Sequence, residues 1–148
     1  MKSYEIKIVR CVLNEDAPEA VVRTAKDVVY YAKKHCFNPE MSWREEVWVL
    51  LLNRAGRITD QFLLGLGGTA AVVMDKKAVA KVAIEGLAEA VVLVHNHPSG
   101  SCLPGQADIR QTAEVKKALS LFDIPLLDHV VLGDGEFYSF AEEKVWKS

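Results

Sequence analysis

Two apolar runs that do not alternate restrict the fold of this chain more than any other feature. Val47–Leu52 reads VWVLLL, and Ala90–His95 reads AVVLVH. A strand with one face in water alternates apolar with polar side chains, whereas a strand covered on both faces has no reason to. Both runs therefore read as central strands of a sheet with further layers on its faces.

The segments around them supply those layers. Asn53-Arg54-Ala55-Gly56 is turn material, so Arg57 to Leu66 is expected to return as a neighbouring antiparallel strand. The glycines of GLGGT, Gly65–Thr69, lack the full G-x-G-x-x-G arrangement and read as a turn or bulge, not a phosphate cradle. Asp75 can cap a helix through Leu87 whose inner stripe is Val79, Val82, Ala83 and Leu87. Val115, Ala118, Leu119 and Phe122 mark a second helix face that stops before Pro125. Leu126–Leu132 follows as a strand, and Asp134-Gly135 turns it into a final hairpin.

Ahead of the first run, Tyr4–Val12 predicts a short strand. Val21, Ala25, Val28, Ala32 and Cys36 recur at helical spacing after Pro18. His35 falls in that helix's last turn, where partial positive charge suits the dipole. The loop chemistry of CFNPEMSW sets this strand and helix apart as an N-terminal extension, residues 1–41, packed on a domain of residues 42–148. The predicted architecture is a mixed α/β sandwich with a mostly antiparallel or mixed sheet and helices against its faces.

At 148 residues, half of them hydrophobic, the chain suffices for one core. A net charge of -2, dispersed along the sequence, gives no footprint for nucleic acid or an anionic membrane, so direct nucleic-acid binding is not expected. No apolar run approaches a membrane span, and the opening MKSYEIKIVR lacks an uninterrupted apolar core, which predicts an unexported, cytoplasmic protein. Three cysteines without C-x-x-C spacing suit reduced thiols; Cys11 and Cys36 read as small buried hydrophobes.

Chemistry concentrates after the second run, in HNHPSG. Side chains alternate along a strand, so His95 and His97 share a face while Asn96 points away, and Pro98 ends the ladder and places the pair at the mouth of the sheet. Two imidazoles can share one ion, and zinc would need a third ligand, for which Asp108 is the nearby candidate. An isolated H-x-H, short enough to arise by chance, is more simply a pair of partly buried, hydrogen-bonded histidines, and Asp108 with Gln111 three residues on resembles a capping box. Spacing alone leaves both readings open. A catalytic zinc also benefits from a carboxylate outside its ligands, and Glu45 or Glu46, ahead of VWVLLL, could stand there; a solvated pair of charges is the simpler account.

HNHPSGSCLPGQAD resembles the JAMM, or MPN-plus, metal-binding motif, whose outline is H-x-H-P followed by a spaced serine and aspartate. Together with REEVWVLLLN and IPLLDHVVLGDG, in that order, it is similar to the RadC family over roughly Ser42 to Phe140. The first 41 residues do not look like the helix-hairpin-helix module of full-length members, so the chain resembles the short, stand-alone forms. The resemblance implies a cytidine-deaminase-like α/β/α sandwich with a mixed sheet, a JAB/MPN domain. It implies zinc held by His95, His97 and Asp108, with Glu45 as general acid/base and Glu46 where a histidine is common. Gly105 stands where the family has its serine, which helps bind a polarised carbonyl oxygen; loss of such a donor costs about two to three orders of magnitude in rate. Ser99, Ser101 or a loop N–H are the available substitutes. Cys102 could be a fourth ligand, but an exposed thiol is the simpler reading. His129, in LLDHVVLG, is a candidate for supporting a ligand from behind.

These readings predict a zinc-dependent hydrolase of the JAMM type, in which a zinc-activated water attacks a peptide or isopeptide amide with Glu45 as base. The expected partner is a peptide or protein substrate, with a homodimer as the assembly left open. The alternative is a RadC-like zinc-binding scaffold without turnover, in a DNA-repair or mobile-element context. Nuclease or deaminase chemistry is a weaker option, since the second C-x-x-C ligand pair of zinc deaminases is missing.

Overall fold

β2 (Glu45–Leu52) runs through the middle of the sheet with every residue after the first buried. The computed structural model describes residues 7–9, 20–41, 43–67 and 74–146. β2 pairs antiparallel with β3 (Ile58–Gly67) on one edge and with β4 (Ala90–Asn96) on the other. β1 (Lys7–Val9) joins outside β3. β5 (Leu126–Leu132) lies parallel to β4, and β6 (Phe137–Ser139) returns antiparallel on β5. The order is β1-β3-β2-β4-β5-β6, a mixed sheet.

Each face has its own core, and the period of two along the strands divides the side chains between them. Val47, Val49, Leu51, Val91 and Leu93 pack with Val79, Val82 and Ala83 of α2 (Lys76–Glu85) and with Val115 and Leu119 of α3 (Gln106–Ser120). Leu50, Leu52, Val92, Val94 and Val130 pack on the other face with Val28, Tyr31 and Ala32 of α1 (Ala25–His35). A short α4 (Phe140–Glu143) follows β6. This is an α/β sandwich with a mixed sheet, as expected, and the unalternating runs are unalternating because both of their faces are covered. Among the described residues no helix is long and apolar enough to cross a membrane.

The element ends depart from the sequence expectations in specific ways. α1 begins only at Ala25; Val21 lies ahead of it, in an isolated bridge to Arg57. Asp75 does cap α2 by accepting the Lys77 N–H at 2.8 Å. Leu87 leaves the inner stripe, however, because the helix stops at Glu85 and Leu87, at φ 50°, is 85% exposed. Phe122 likewise falls beyond the end of α3 and is exposed. Cys36 is partly buried against the α1 core, whereas Tyr4–Ile6, Arg10–Val12 with Cys11, and Gly68-Thr69 lie outside the described residues.

Candidate metal centre

Val47 lies directly across from His95 in the β2–β4 ladder. Glu45, two residues earlier on the same face, therefore stands at the end of the sheet beside both histidines. Three segments converge there: the start of β2, the end of β4 and the first turn of α3. One ligand atom each from Glu45, His95, His97 and Asp108 lies within 4.8 Å of all the others, a group able to hold a metal ion. His95 Nε2 is 2.8 Å from His97 Nε2 and 3.7 Å from Asp108 Oδ1, and His97 Nε2 is 3.4 Å from Asp108 Oδ2. Donors about 2.0 Å from a tetrahedral ion stand roughly 3.3 Å apart, so these separations surround one ion-sized place. Glu45 Oε1 reaches to 4.0 Å from His95 Nε2.

Asp108 arrives by a different local route from the one its spacing suggested. The helix starts at Gln106 with Gly105 as its N-cap, and Asp108, in the first turn, accepts the Gly105 N–H at 2.8 Å. Gln111 takes no part in that cap; its Oε1 accepts the Met74 N–H. His97 is oriented by the loop after β4, its Nδ1 donating to the Ser101 carbonyl at 2.9 Å, which turns Nε2 inward.

Burial and charge set the protonation of the group. His95 is 1% exposed, and desolvation pulls its pKa down to about 4, so the ring is neutral near pH 7. The hydrogen bond with Asp108 raises His97 above the usual histidine range. Burial works to raise Asp108, but His97, the Gly105 N–H and His95 hold it at about 2. Two imidazole nitrogens 2.8 Å apart are stable only with something positive between their lone pairs. A proton on His97 fills that role, and a divalent cation would fill it with two neutral imidazoles and a carboxylate, a donor set that fits a metal.

Behind the cluster runs a buried polar chain. His95 Nδ1 contacts His129 Nε2 at 2.5 Å, His129 Nδ1 contacts Thr112 Oγ1 at 2.7 Å, and Thr112 Oγ1 donates to the Asp108 carbonyl at 2.6 Å. His129 is fully buried, which lowers its pKa well below normal, and Phe140 stacks on its ring at 4.6 Å. Sequence reading named His129 but passed over Thr112, although its position one helical turn after Asp108 places the two on one face of α3.

Other residues singled out from the sequence lie elsewhere. Glu46 is not a solvated charge: it points to the α1 side, is 6% exposed, and meets Arg44 at 3.1 Å and the Trp48 indole N–H at 3.0 Å. Cys102 is not an exposed thiol; it is buried, with Glu136 as its polar neighbour and no share in the four-residue group. Ser99 and Ser101 are exposed on the loop, and Ser101 meets the cluster through its carbonyl. Asp128, given no role from sequence, is buried and accepts from Ser139 Oγ and from the backbone N–H groups of His129 and Ala141.

The family profile of the RadC-like JAB domain matches residues 22–145. The chain belongs to the RadC-like JAB domain family. JAB domains commonly bind metal, in keeping with the cluster at the sheet end. This RadC-like chain is 43% identical over 101 residues to a UPF0758 protein of Porphyromonas gingivalis, covering 68% of this chain and 44% of that protein. It is 33% identical over 137 residues to a UPF0758 protein of Coprothermobacter proteolyticus, covering 92% of this chain and 58% of that one. The chain thus spans about half the length of the curated relatives it matches. The family match begins at residue 22 and so takes in α1 as well as β2 to β6 of the sheet.

Proposed function

We propose that this RadC-like JAB domain is a zinc-dependent hydrolase of the JAMM type, cleaving an amide bond of a peptide or protein with Glu45 as its proton carrier. The observation that carries the reading is the convergence of Glu45, His95, His97 and Asp108 within 4.8 Å at one end of the sheet. His95, His97 and Asp108 would hold the ion, a donor set of two imidazoles and one carboxylate like that of hydrolytic zinc centres with a position left for water. Zinc there would supply Lewis-acid polarisation of the amide carbonyl and lower the pKa of water towards neutrality.

Glu45 does the proton work. It stands on a different strand from the proposed ligands, 4.0 Å from His95 Nε2, near enough to take a proton from the attacking water and pass it to the leaving nitrogen. Its negative charge brings the ion, two neutral imidazoles and the Asp108 carboxylate close to net neutrality. The oxyanion donor is a separate requirement. Gly105 has no side chain, and its N–H is already given to Asp108. Ser101 is the candidate substitute, because its hydroxyl accepts the Leu103 N–H at 3.3 Å and keeps its own proton to donate.

Gly105 also favours a second reading, a zinc-binding scaffold without turnover. Elemental analysis of the wild type, His95→Ala and His97→Ala tests the metal first: one zinc per chain in the wild type and its loss in both variants is expected. Equal, negligible metal in all three ends the metal reading. Peptide and isopeptide panels then compare the wild type with Glu45→Gln, which should keep its zinc and lose about two to four orders of magnitude in rate. Zinc present with no cleavage by either protein leaves the scaffold.

A further inference from the structure

The polar chain behind the metal cluster has a direction, and one hydroxyl selects it. We propose that Thr112 is a positioning residue that fixes the tautomer of His95, keeping the proton off the Nε2 that faces His97 and Asp108, an inference that rests on reading His95, His97 and Asp108 as a metal centre.

A threonine hydroxyl has a single proton. Thr112 Oγ1 lies 2.6 Å from the Asp108 carbonyl oxygen, which can only accept, so the proton is committed there. Thr112 Oγ1 must then meet His129, 2.7 Å away, as an acceptor, and His129 carries its proton on Nδ1. Among the described residues the buried ring of His129 hydrogen-bonds to Thr112 Oγ1 and His95 Nδ1, with no carboxylate to balance a second proton, so with its Nδ1–H given to Thr112 its Nε2 is a lone pair. His95 Nδ1, in contact with that lone pair, must donate to it. The remaining nitrogen of His95, Nε2, is left with its lone pair aimed at His97 and Asp108.

The opposite direction fails at the far end. With the Thr112 proton turned to His129, Thr112 Oγ1 and the Asp108 carbonyl would set two lone pairs 2.6 Å apart in a buried place. His129 would then protonate at Nε2, His95 would carry its proton on its own Nε2, and the metal-facing atom would be an N–H. The carbonyl that decides this belongs to Asp108 itself. One hydroxyl therefore sets the donor atom of His95 and also braces the turn of α3 from which Asp108 reaches the same place.

Thr112→Val keeps the branched shape and removes the acceptor, stranding the His129 Nδ1–H; Thr112→Ser keeps the hydroxyl. Zinc affinity of the full chain, measured by competition with a chromophoric chelator, should fall about 10- to 100-fold in Thr112→Val and stay within about threefold in Thr112→Ser. Equal affinity in wild type and Thr112→Val overturns the proposal. Long-range nitrogen–proton correlation NMR of the metal-free wild type reads the tautomers without any variant, so it decides the matter even if Thr112→Val does not fold. Protons on Nδ1 of both His95 and His129 are expected, and a proton on Nε2 of either neutral ring overturns the assignment. If both rings show Nδ1–H and the wild type takes up no zinc, the direction of the chain stands and the metal-centre reading alone falls.

Discussion

Asn96, between the two histidines, clamps the start of β2 to the end of β4: its Oδ1 accepts the Glu46 N–H at 2.7 Å, and its Nδ2 donates to the Arg44 carbonyl at 2.9 Å. The β2–β4 register ends at Val47 and His95, so this side chain continues the ladder where backbone pairing stops. Asn96→Ala leaves those two backbone groups without it and should cost about 1–3 kcal/mol. Glu45, flanked by the two clamped residues, loses its fixed position. The expected signature is a lower urea midpoint and slower turnover at unchanged zinc content, and a wild-type midpoint would show that the clamp contributes nothing.

Gly105→Ser should be accepted by the backbone and restore the motif side chain. The N-cap is extended at φ −77°, and a Cβ there would meet Asp108 Oδ2 at an ordinary 3.6 Å. Serine is also a slightly better N-cap than glycine, by a few tenths of a kcal/mol. If an oxyanion donor is what the site lacks, amide turnover should rise by about one to two orders of magnitude. Unchanged kcat would mean that Ser101 or another donor already serves.

Lowering the pH should weaken metal binding through His97. Its pKa is raised by the hydrogen bond to Asp108, and a ligand must shed its proton before it can coordinate, so zinc uptake releases a proton wherever His97 is charged. Affinity is therefore expected to fall as the pH drops through the raised His97 range. Calorimetry in buffers of different ionisation enthalpy counts the protons released; none released near pH 6 contradicts the assignment.

The metal-free protein should show the reverse sign at His97. A raised folded pKa gives stability that is complete below the unfolded value near 6.5 and fades as pH rises through the folded one. Asp108, held at about 2, gives stability present above 3.8 and lost as the pH falls towards 2. His97→Gln should flatten the first trend in urea midpoints taken across pH 5 to pH 9, and an unaltered slope would remove His97 from the linkage.

Gly133→Ala should disturb the metal site from behind. A Cβ at Gly133 would lie 2.5 Å from the Gly100 carbonyl oxygen and 2.8 Å from the Cys102 nitrogen, both backbone atoms of the loop that orients His97. Overpacking of this kind costs about 1–3 kcal/mol. A lower thermal midpoint together with weaker zinc binding is expected, and tight zinc binding at normal stability would show that the loop moves freely.

The sequence disclosed the layers and the shared face of His95 and His97 because both depend on short-range periodicity, whereas choosing Glu45 over Glu46 needed the family resemblance. The runs at Val47 and Ala90 are unalternating for the reason they were read as central strands, and His95 and His97 share a face by the alternation that sends Asn96 the other way. Element ends were harder, because Leu87 and Phe122 continue an apolar pattern past the points where the helices stop. Glu46 read as one of a solvated pair although Trp48, two residues on along the same strand, gives it an indole N–H, and Asp128 drew no role because Ser139 and Ala141, which bind it, come from beyond the next turn. Thr112 was passed over because only its place one turn after Asp108 is local, while its partner His129 comes from β5 and not from its own helix.

The opposed pair of Val47 and His95 gives the site a use beyond chemistry. Side chains on a strand repeat every two residues, so a slip of one residue along β4 would turn both histidines towards α1 and bring Asn96 to the place of the ligands. β4 is apolar on both faces, and hydrophobic burial by itself distinguishes poorly between such registers. An ion that binds only the correctly aligned sheet would act as a proofreader of strand assembly.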